Sequence, residues 1–350
     1  MADPVISSIL NDLKDVPTSY RNIAKRKDSQ AWYDAVTAEN NSILKHGVLV
    51  PVDQVPLLKN IIKARYVFTR KSDGRYKARL VAKGFTQVYG VDYTDVFAPV
   101  VSKNSIRALL SLAAVEDWEI HQVDVETAFL NATLEEDLYM EAPLGFGYPP
   151  GSVFKLHKSL YGLKQAPRVW NKALNDWLVS RDFKQNVIDT SVYSRGSGSS
   201  AIHLAVYVDD ILIFGHDKEF ISSFKLALHA QFAIKDMGEV KHILGMLVTR
   251  DRVKRTISLS QTDYLTRLVK QFGLDPGKIY SSKPVPISKA AVKTVVNTVN
   301  GMGSGAPIEP HIPFRSLLGG LNYACTCSRP DISFAVSSLA SHCVDPRKMH

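Results

Sequence analysis

Residues 204–215 read LAVYVDDILIFG, and two adjacent carboxylates, Asp209 and Asp210, interrupt a run of branched and aromatic residues. Leu204, Val206 and Val208, then Ile211, Leu212, Ile213 and Phe214, suit a buried sheet. The two-residue break has hairpin length. Tight hairpin turns favour Asn-Gly or Asp-Gly, because they need positive φ. Asp-Asp is a poor turn and its charges repel, and a sequence that breaks local rules at one spot often marks a functional site.

Outward from this hairpin, the pattern alternates strands and helices. Upstream, EIHQVDVETAFLN (119–131) begins as a strand, with Asp124 among apolar neighbours, and then turns. Residues 61–87 hold eight Lys or Arg and a single acid, Asp73, with aromatic and aliphatic residues interleaved and a turn signal at SDG. They predict a β-hairpin with one apolar face and one basic face, suited to phosphates. Helices are expected over 29–46, over 103–115, from Pro167 onward and along the Phe220, Phe224, Leu228, Phe232 stripe, which is core. Residues 142–152 form a loop, 240–260 hold two strands, and 262–272 form a helix stopped by Gly273. Residues 275–312 have no clear period and read as a linker or mobile loop; helical patterning returns from 313. The order predicts an α+β fold, an antiparallel sheet with helices on one face.

The 350 residues carry a net charge of +9, with 45% hydrophobic and 22% charged residues. That is a globular composition, and the charge favours a polyanionic partner. No stretch approaches the ~20 apolar residues of a membrane span, so no membrane role is expected. The N-terminal residues lack a signal-peptide pattern. Three cysteines, Cys325, Cys327 and Cys343, form neither a disulfide framework nor a zinc site and fit a reducing compartment.

Adjacent strand residues point to opposite faces, so Asp209 and Asp210 need a third acid from another strand to hold metal. Asp124 is the best candidate; Glu126 reads better as a solvated loop acid. Asp on one strand, Asp-Asp on a neighbouring hairpin and a basic hairpin upstream together resemble a reverse transcriptase, and YVDD at 207–210 fits that family's hairpin signature. The closer resemblance is to copia-type long-terminal-repeat retrotransposons. It is carried by 76–101 (YKARLVAKGFTQVYGVDYTDVFAPVV), 123–146 (VDVETAFLNATLEEDLYMEAPLGF), 156–171 (LHKSLYGLKQAPRVWN) and 237–248 (MGEVKHILGMLV). Residues 257–274 and 314–340 look like the region that follows the polymerase.

The resemblance implies a right-hand polymerase: a palm, basic fingers and a helical, thumb- or connection-like C-terminal part. It divides the chain into an N-terminal extension (1–28), fingers and palm (29–255), the start of a thumb-like region (256–274), the linker (275–312) and a C-terminal helical segment (313–350). A ribonuclease H domain is expected where this chain ends, so the chain looks like a fragment of a polyprotein without integrase or ribonuclease H. Asp124, Asp209 and Asp210 are implied as the metal-binding catalytic triad for two Mg²⁺ ions, with Mn²⁺ able to substitute. Asp124 and Asp209 would bridge both ions, and Asp210 would be peripheral. Lys77 and Arg79 match triphosphate-contacting positions, and strand register decides which of them faces the phosphates. Phe129 matches the ring that checks the ribose. Gln165 matches a residue lining the nucleotide pocket, and Met237 and Gly238 match the turn under the primer end. Ala132, Glu126 and Ala142 depart from the family's usual Gly, Lys and Gln, and Glu126 adds negative charge near the site.

The implied function is RNA-directed DNA polymerisation, with an RNA or DNA template, a primer and deoxynucleoside triphosphates as partners. The setting is intracellular, either a cytoplasmic virus-like particle or the nucleus. The alternative is an inactive or co-opted remnant that binds nucleic acid without catalysis. A nucleotidyl cyclase also builds paired acids on such a sheet, but it would not need the basic hairpin or LKQAPRVW.

Overall fold

A computed structural model describes residues 16–71, 73–274, 306–309 and 312–347, which fall into two compact units meeting in sequence at Val240 and Lys241. The first unit runs α1 (Tyr20–Ile23), α2 (Ser29–Lys45), β1 (Leu49–Val52), β2 (Ile61–Ile62), β3 (Ala64–Arg70), β4 (Tyr76–Ala82) and α3 (Lys103–Val115). It continues through β5 (Glu119–Val125), β6 (Thr133–Glu141), β7 (Val153–Lys158), α4 (Ala166–Val179), β8 (Lys184–Gln185), β9 (Val192–Arg195), β10 (Ile202–Tyr207), β11 (Asp210–Gly215), α5 (Lys218–Gln231) and β12 (Ile234–Glu239). The fold is mixed α+β.

Its central sheet has the order β12-β5-β11-β10-β9-β8 and is antiparallel at every step. Val123, Val125, Leu204, Val206, Ile211 and Ile213 lie on one face of it. They pack against Trp170, Leu174, Trp177 and Leu178 of α4 and Ile221, Phe224 and Leu228 of α5. The strand period of two and the helical period of about 3.6 meet there, as the apolar spacing predicts. Leu212 and Phe214 alternate to the opposite face and are buried as well, and α3 also contacts β11.

A second core joins the basic hairpin to α2. Tyr66, Phe68, Ala78, Leu80 and Ala82 form the buried face of β3–β4. Trp32 of α2 sets its edge against Phe68 at 5.4 Å and Tyr76 at 4.7 Å. The sheet β1-β7-β6-β2 lies in the same core. Residues 16–28 supply Ile23 and the partly buried Val16 and Tyr20 to this core.

The second unit holds β13 (His242–Ile243), β14 (Met246–Asp251), β15 (Thr256–Ser260), α6 (Thr262–Gln271), α7 (Phe314–Cys327) and α8 (Ser333–Ala340). The strands of 241–255 sit with this unit. The strands β13, β14 and β15 pair with one another. The linker reading over 275–305 and 310–311 lies outside the described residues; Pro307 bridges to Arg347. No described helix is long and apolar enough to cross a membrane.

Candidate active site

The β10–β11 hairpin turns at Val208 and Asp209, one residue earlier than the Asp-Asp pair suggests, because Tyr207 pairs with Asp210. Asp210 is therefore a strand residue and Asp209 a turn residue. Val208 takes the positive φ that the turn needs, at 58°. A β-branched residue is strained there, and such strain persists only where its surroundings enforce it. The enforcing contacts are visible: Trp170 of α4 donates its indole N–H to the Val208 carbonyl at 2.8 Å, and Val125 donates its N–H to the Asp209 carbonyl at 2.8 Å.

Asp124 on β5 stands directly opposite Asp210 on β11, and directly opposite Lys235 on β12. Opposed residues of antiparallel strands share a face, so Asp210, Asp124 and Lys235 form one row across three strands. Burial raises the pKa of Asp124 above the usual carboxylate range; Asp209 and Asp210 add to the rise, and Lys77 and Lys235 oppose it. Burial also raises that of Asp210, with Asp209 adding and a hydrogen bond from Gln122 opposing. That bond runs from Gln122 Nε2 to Asp210 Oδ1 at 2.9 Å.

Three half-buried acids held together against their own repulsion are a hard-oxygen donor set, which suits Mg²⁺ or Mn²⁺. Among the described residues no group of three acids, histidines or cysteines already converges tightly enough to hold an ion. The donor chemistry fits a divalent cation, with the Asp210 carboxylate engaged by Gln122 in this arrangement.

Lys77 and Arg79 lie on β4 opposite Thr69 and Val67. Two residues apart on one strand, they share a face, so register does not choose between them. That face is the one turned away from Tyr66, Phe68 and Leu80, and it is half-exposed. Burial and the neighbouring Arg79 and Lys71 hold the Lys77 ammonium below its ordinary pKa; Glu39 and Asp124 pull it back up. The basic face thus reaches the field of the carboxylates. Glu39 of α2 accepts the Leu80 N–H at 2.9 Å, and burial raises its pKa.

Past Asp124 the chain turns at Thr127, with φ 51°, into a short 3₁₀ turn, Ala128–Asn131. Ala128 and Leu130 are buried, and Phe129 is half-buried between the two cores. The Phe129 ring meets the Tyr161 ring edge-on at 4.9 Å, and the Arg79 guanidinium lies 5.3 Å from the centre of that Tyr161 ring.

Gln165 precedes the first turn of α4. It is fully buried, accepts from Gln87 Nε2 at 3.0 Å and donates to the Asp92 carbonyl at 2.8 Å. Its amide ties the 84–93 loop to the start of α4. Met237 and Gly238 sit at a bulge in β12 where the pairing with β5 shifts by one residue; Gly238 has φ 72° and Met237 is exposed. Behind the bulge the buried Lys225 of α5 donates to both Asp236 oxygens, at 2.8 and 3.0 Å, and lies 2.7 Å from His121 Nδ1. Asp236 in turn accepts the Gly238 N–H at 2.9 Å.

Sequence reasoning missed Gln122, Tyr161, Lys225 and Lys235. The two-residue alternation back from Asp124 points to Gln122. The other three depend on pairings between distant segments, which leave no local signal.

A family profile for reverse transcriptase (RNA-dependent DNA polymerase) matches residues 50–287, and the chain belongs to that family. Among its relatives, the chain is 40% identical over 342 residues to the retrovirus-related Pol polyprotein from transposon TNT 1-94 of Nicotiana tabacum. That match covers 95% of the chain and 25% of the relative. The Pol polyprotein from transposon RE1 of Arabidopsis thaliana is 36% identical over 92% of the chain and 22% of its own length. The putative transposon Ty5-1 protein YCL074W of Saccharomyces cerevisiae is 31% identical over 65% of the chain and 71% of its own length. The chain therefore spans about a quarter of the length of the plant polyproteins it matches.

Proposed function

We propose that this chain is the RNA-directed DNA polymerase segment of a retrotransposon polyprotein, extending a primer 3′-hydroxyl with deoxynucleotides. The observation that carries the reading is the cross-strand alignment of Asp124 with Asp210, with Asp209 in the adjoining turn and Lys77 within electrostatic reach of Asp124. In this reading the six-stranded sheet is the palm, the β3–β4 hairpin the fingers, and the second unit the thumb-like part.

Asp124, Asp209 and Asp210 would hold two divalent cations, Mg²⁺ or Mn²⁺. When bound, the pair supplies charge neutralisation at the attacking and leaving oxygens of an in-line displacement. The remaining work belongs to side chains. Lys77 and Arg79 take the triphosphate on their shared face. Phe129 presses on the sugar where a 2′-hydroxyl would project. Gln165 supports the nucleotide pocket from behind, through Gln87 and Asp92. The β12 bulge presents Met237 and Gly238 to the primer end. Template, primer and deoxynucleoside triphosphates are the partners. The proposed setting is intracellular, a cytoplasmic particle or the nucleus.

Primer extension on an RNA template with Mg²⁺ and four deoxynucleotides tests the reading. A complementary DNA product is expected. Binding of the primed template with no product, under Mg²⁺ and under Mn²⁺, would favour a remnant that binds nucleic acid without catalysis.

A further inference from the structure

Tyr161 lies between two groups that the proposed function uses separately. Its ring meets the Phe129 ring edge-on and also carries the Arg79 guanidinium. The backbone that carries the ring is held in place. The Tyr161 carbonyl accepts the Ala82 N–H at 2.7 Å, which ties the segment to the end of β4. The next residue, Gly162, has φ 90°, and a Cβ there would lie 2.2 Å from the Ala82 carbonyl oxygen. Close backbone approach of this kind requires glycine. The residues flanking this pair, Leu160 and Leu163, are buried. Tyr161 is thus a fixed post, while Phe129 sits in a short 3₁₀ turn and Arg79 on an open hairpin face.

We propose that Tyr161 is a positioning residue that couples sugar selection to triphosphate binding, by backing Phe129 and seating Arg79 at once. The inference rests on the polymerase reading above. A ring that excludes a hydroxyl by contact must not yield, since exclusion depends on the cost of overpacking a stiff wall. Edge-to-face aromatic contacts are attractive beyond their burial and fix ring orientation. A guanidinium over an aromatic face adds a comparable, orientation-dependent attraction. With both on one ring, loss of the Arg79 contact loosens the post against which the sugar-checking Phe129 rests.

The test compares kcat/KM for a matched deoxy and ribo triphosphate on one primed template, using the full chain. Tyr161→Phe keeps the ring and should leave the deoxy-to-ribo ratio within about twofold of wild type. Tyr161→Leu should lower that ratio about tenfold, equivalent to about 1.4 kcal/mol, and raise the KM for both triphosphates. Combined with Phe129→Ala it should lower the ratio no further than Phe129→Ala does alone, because the two side chains act as one unit. Arg79→Gln, on the half-exposed face, provides a second arm independent of any folding defect in Tyr161→Leu. It too should lower the ratio as well as raise KM. An unchanged ratio in Arg79→Gln, or in a folded Tyr161→Leu whose KM is also unchanged, would overturn the coupling. If Phe129→Ala itself leaves the ratio intact, the sugar-checking reading fails instead, and the two failures are told apart.

Discussion

Lys225 and Asp236 form an ion pair whose two ends sit in different environments. The ammonium is buried under α5, while the Asp236 side chain is half-exposed. Removing one partner of a pair is costly when it strands the buried one. Asp236→Ala strands a buried cation and also frees the Gly238 N–H, so it should destabilise the protein by ~2–3 kcal/mol, below the ~3–5 kcal/mol of a fully buried pair. Lys225→Met leaves a carboxylate that water can reach and should cost less, about 1 kcal/mol. Chemical denaturation of the two variants checks the ranking, and the reverse order would contradict this account of the β12 bulge. At this scale the aspartates were legible because Asp209 and Asp210 violate turn preference inside an apolar run. Lys225 was not. It lies beside the Phe220–Phe224–Leu228 stripe, where a lysine reads as surface, and its partners come from β5 and β12.

Among the elements, the basic hairpin makes the sharpest claim. Its apolar face packs on Trp32 and the α2 core, so the opposite face, with Lys77 and Arg79, stays half-exposed. Alanine at Lys77 or Arg79 should raise the deoxynucleotide KM about tenfold, the loss of one charge-assisted contact. It should leave the salt slope of primed-template affinity unchanged. A shallower slope with an unaltered nucleotide KM would move these residues to the template backbone.

The interior strand β10 of the central sheet makes a pH prediction. His203 stacks on Trp118 at 4.9 Å, its Nδ1 lies 2.7 Å from Ser194 Oγ, and burial lowers its pKa from the ordinary 6.5. Between 6.5 and that lower folded value the unfolded chain binds more protons, so stability is full above 6.5 and falls as pH drops through the window. Thermal melts across this range should show the decline, and His203→Gln should flatten it. An equal decline in the variant would assign the effect elsewhere. Elements were largely readable from periodicity. The shift of the hairpin turn to Val208–Asp209 was not, because register is set by pairing with β5 and by the Trp170 bond, both distant in sequence.

For the whole molecule, the order of blocks carried the family, and the central sheet confirms the mixed α+β class that this order predicts. The division between units at Val240 and Lys241 was not legible, because β13–β15 look like any other short strands until their pairing is known. The central claim is that the carboxylates on β5 and in the β10–β11 hairpin exist to hold metal for nucleotidyl transfer. Asp209→Asn tests it most directly, since it removes one charge at nearly constant volume. The account predicts that RNA-templated extension falls by a factor of about 10³ or more, the loss of several kcal/mol of metal-borne stabilisation. The metal-free melting temperature should hold or rise, because repulsion on Asp124 and Asp210 is relieved. Extension by a folded Asp209→Asn variant at close to the wild-type rate would contradict the account.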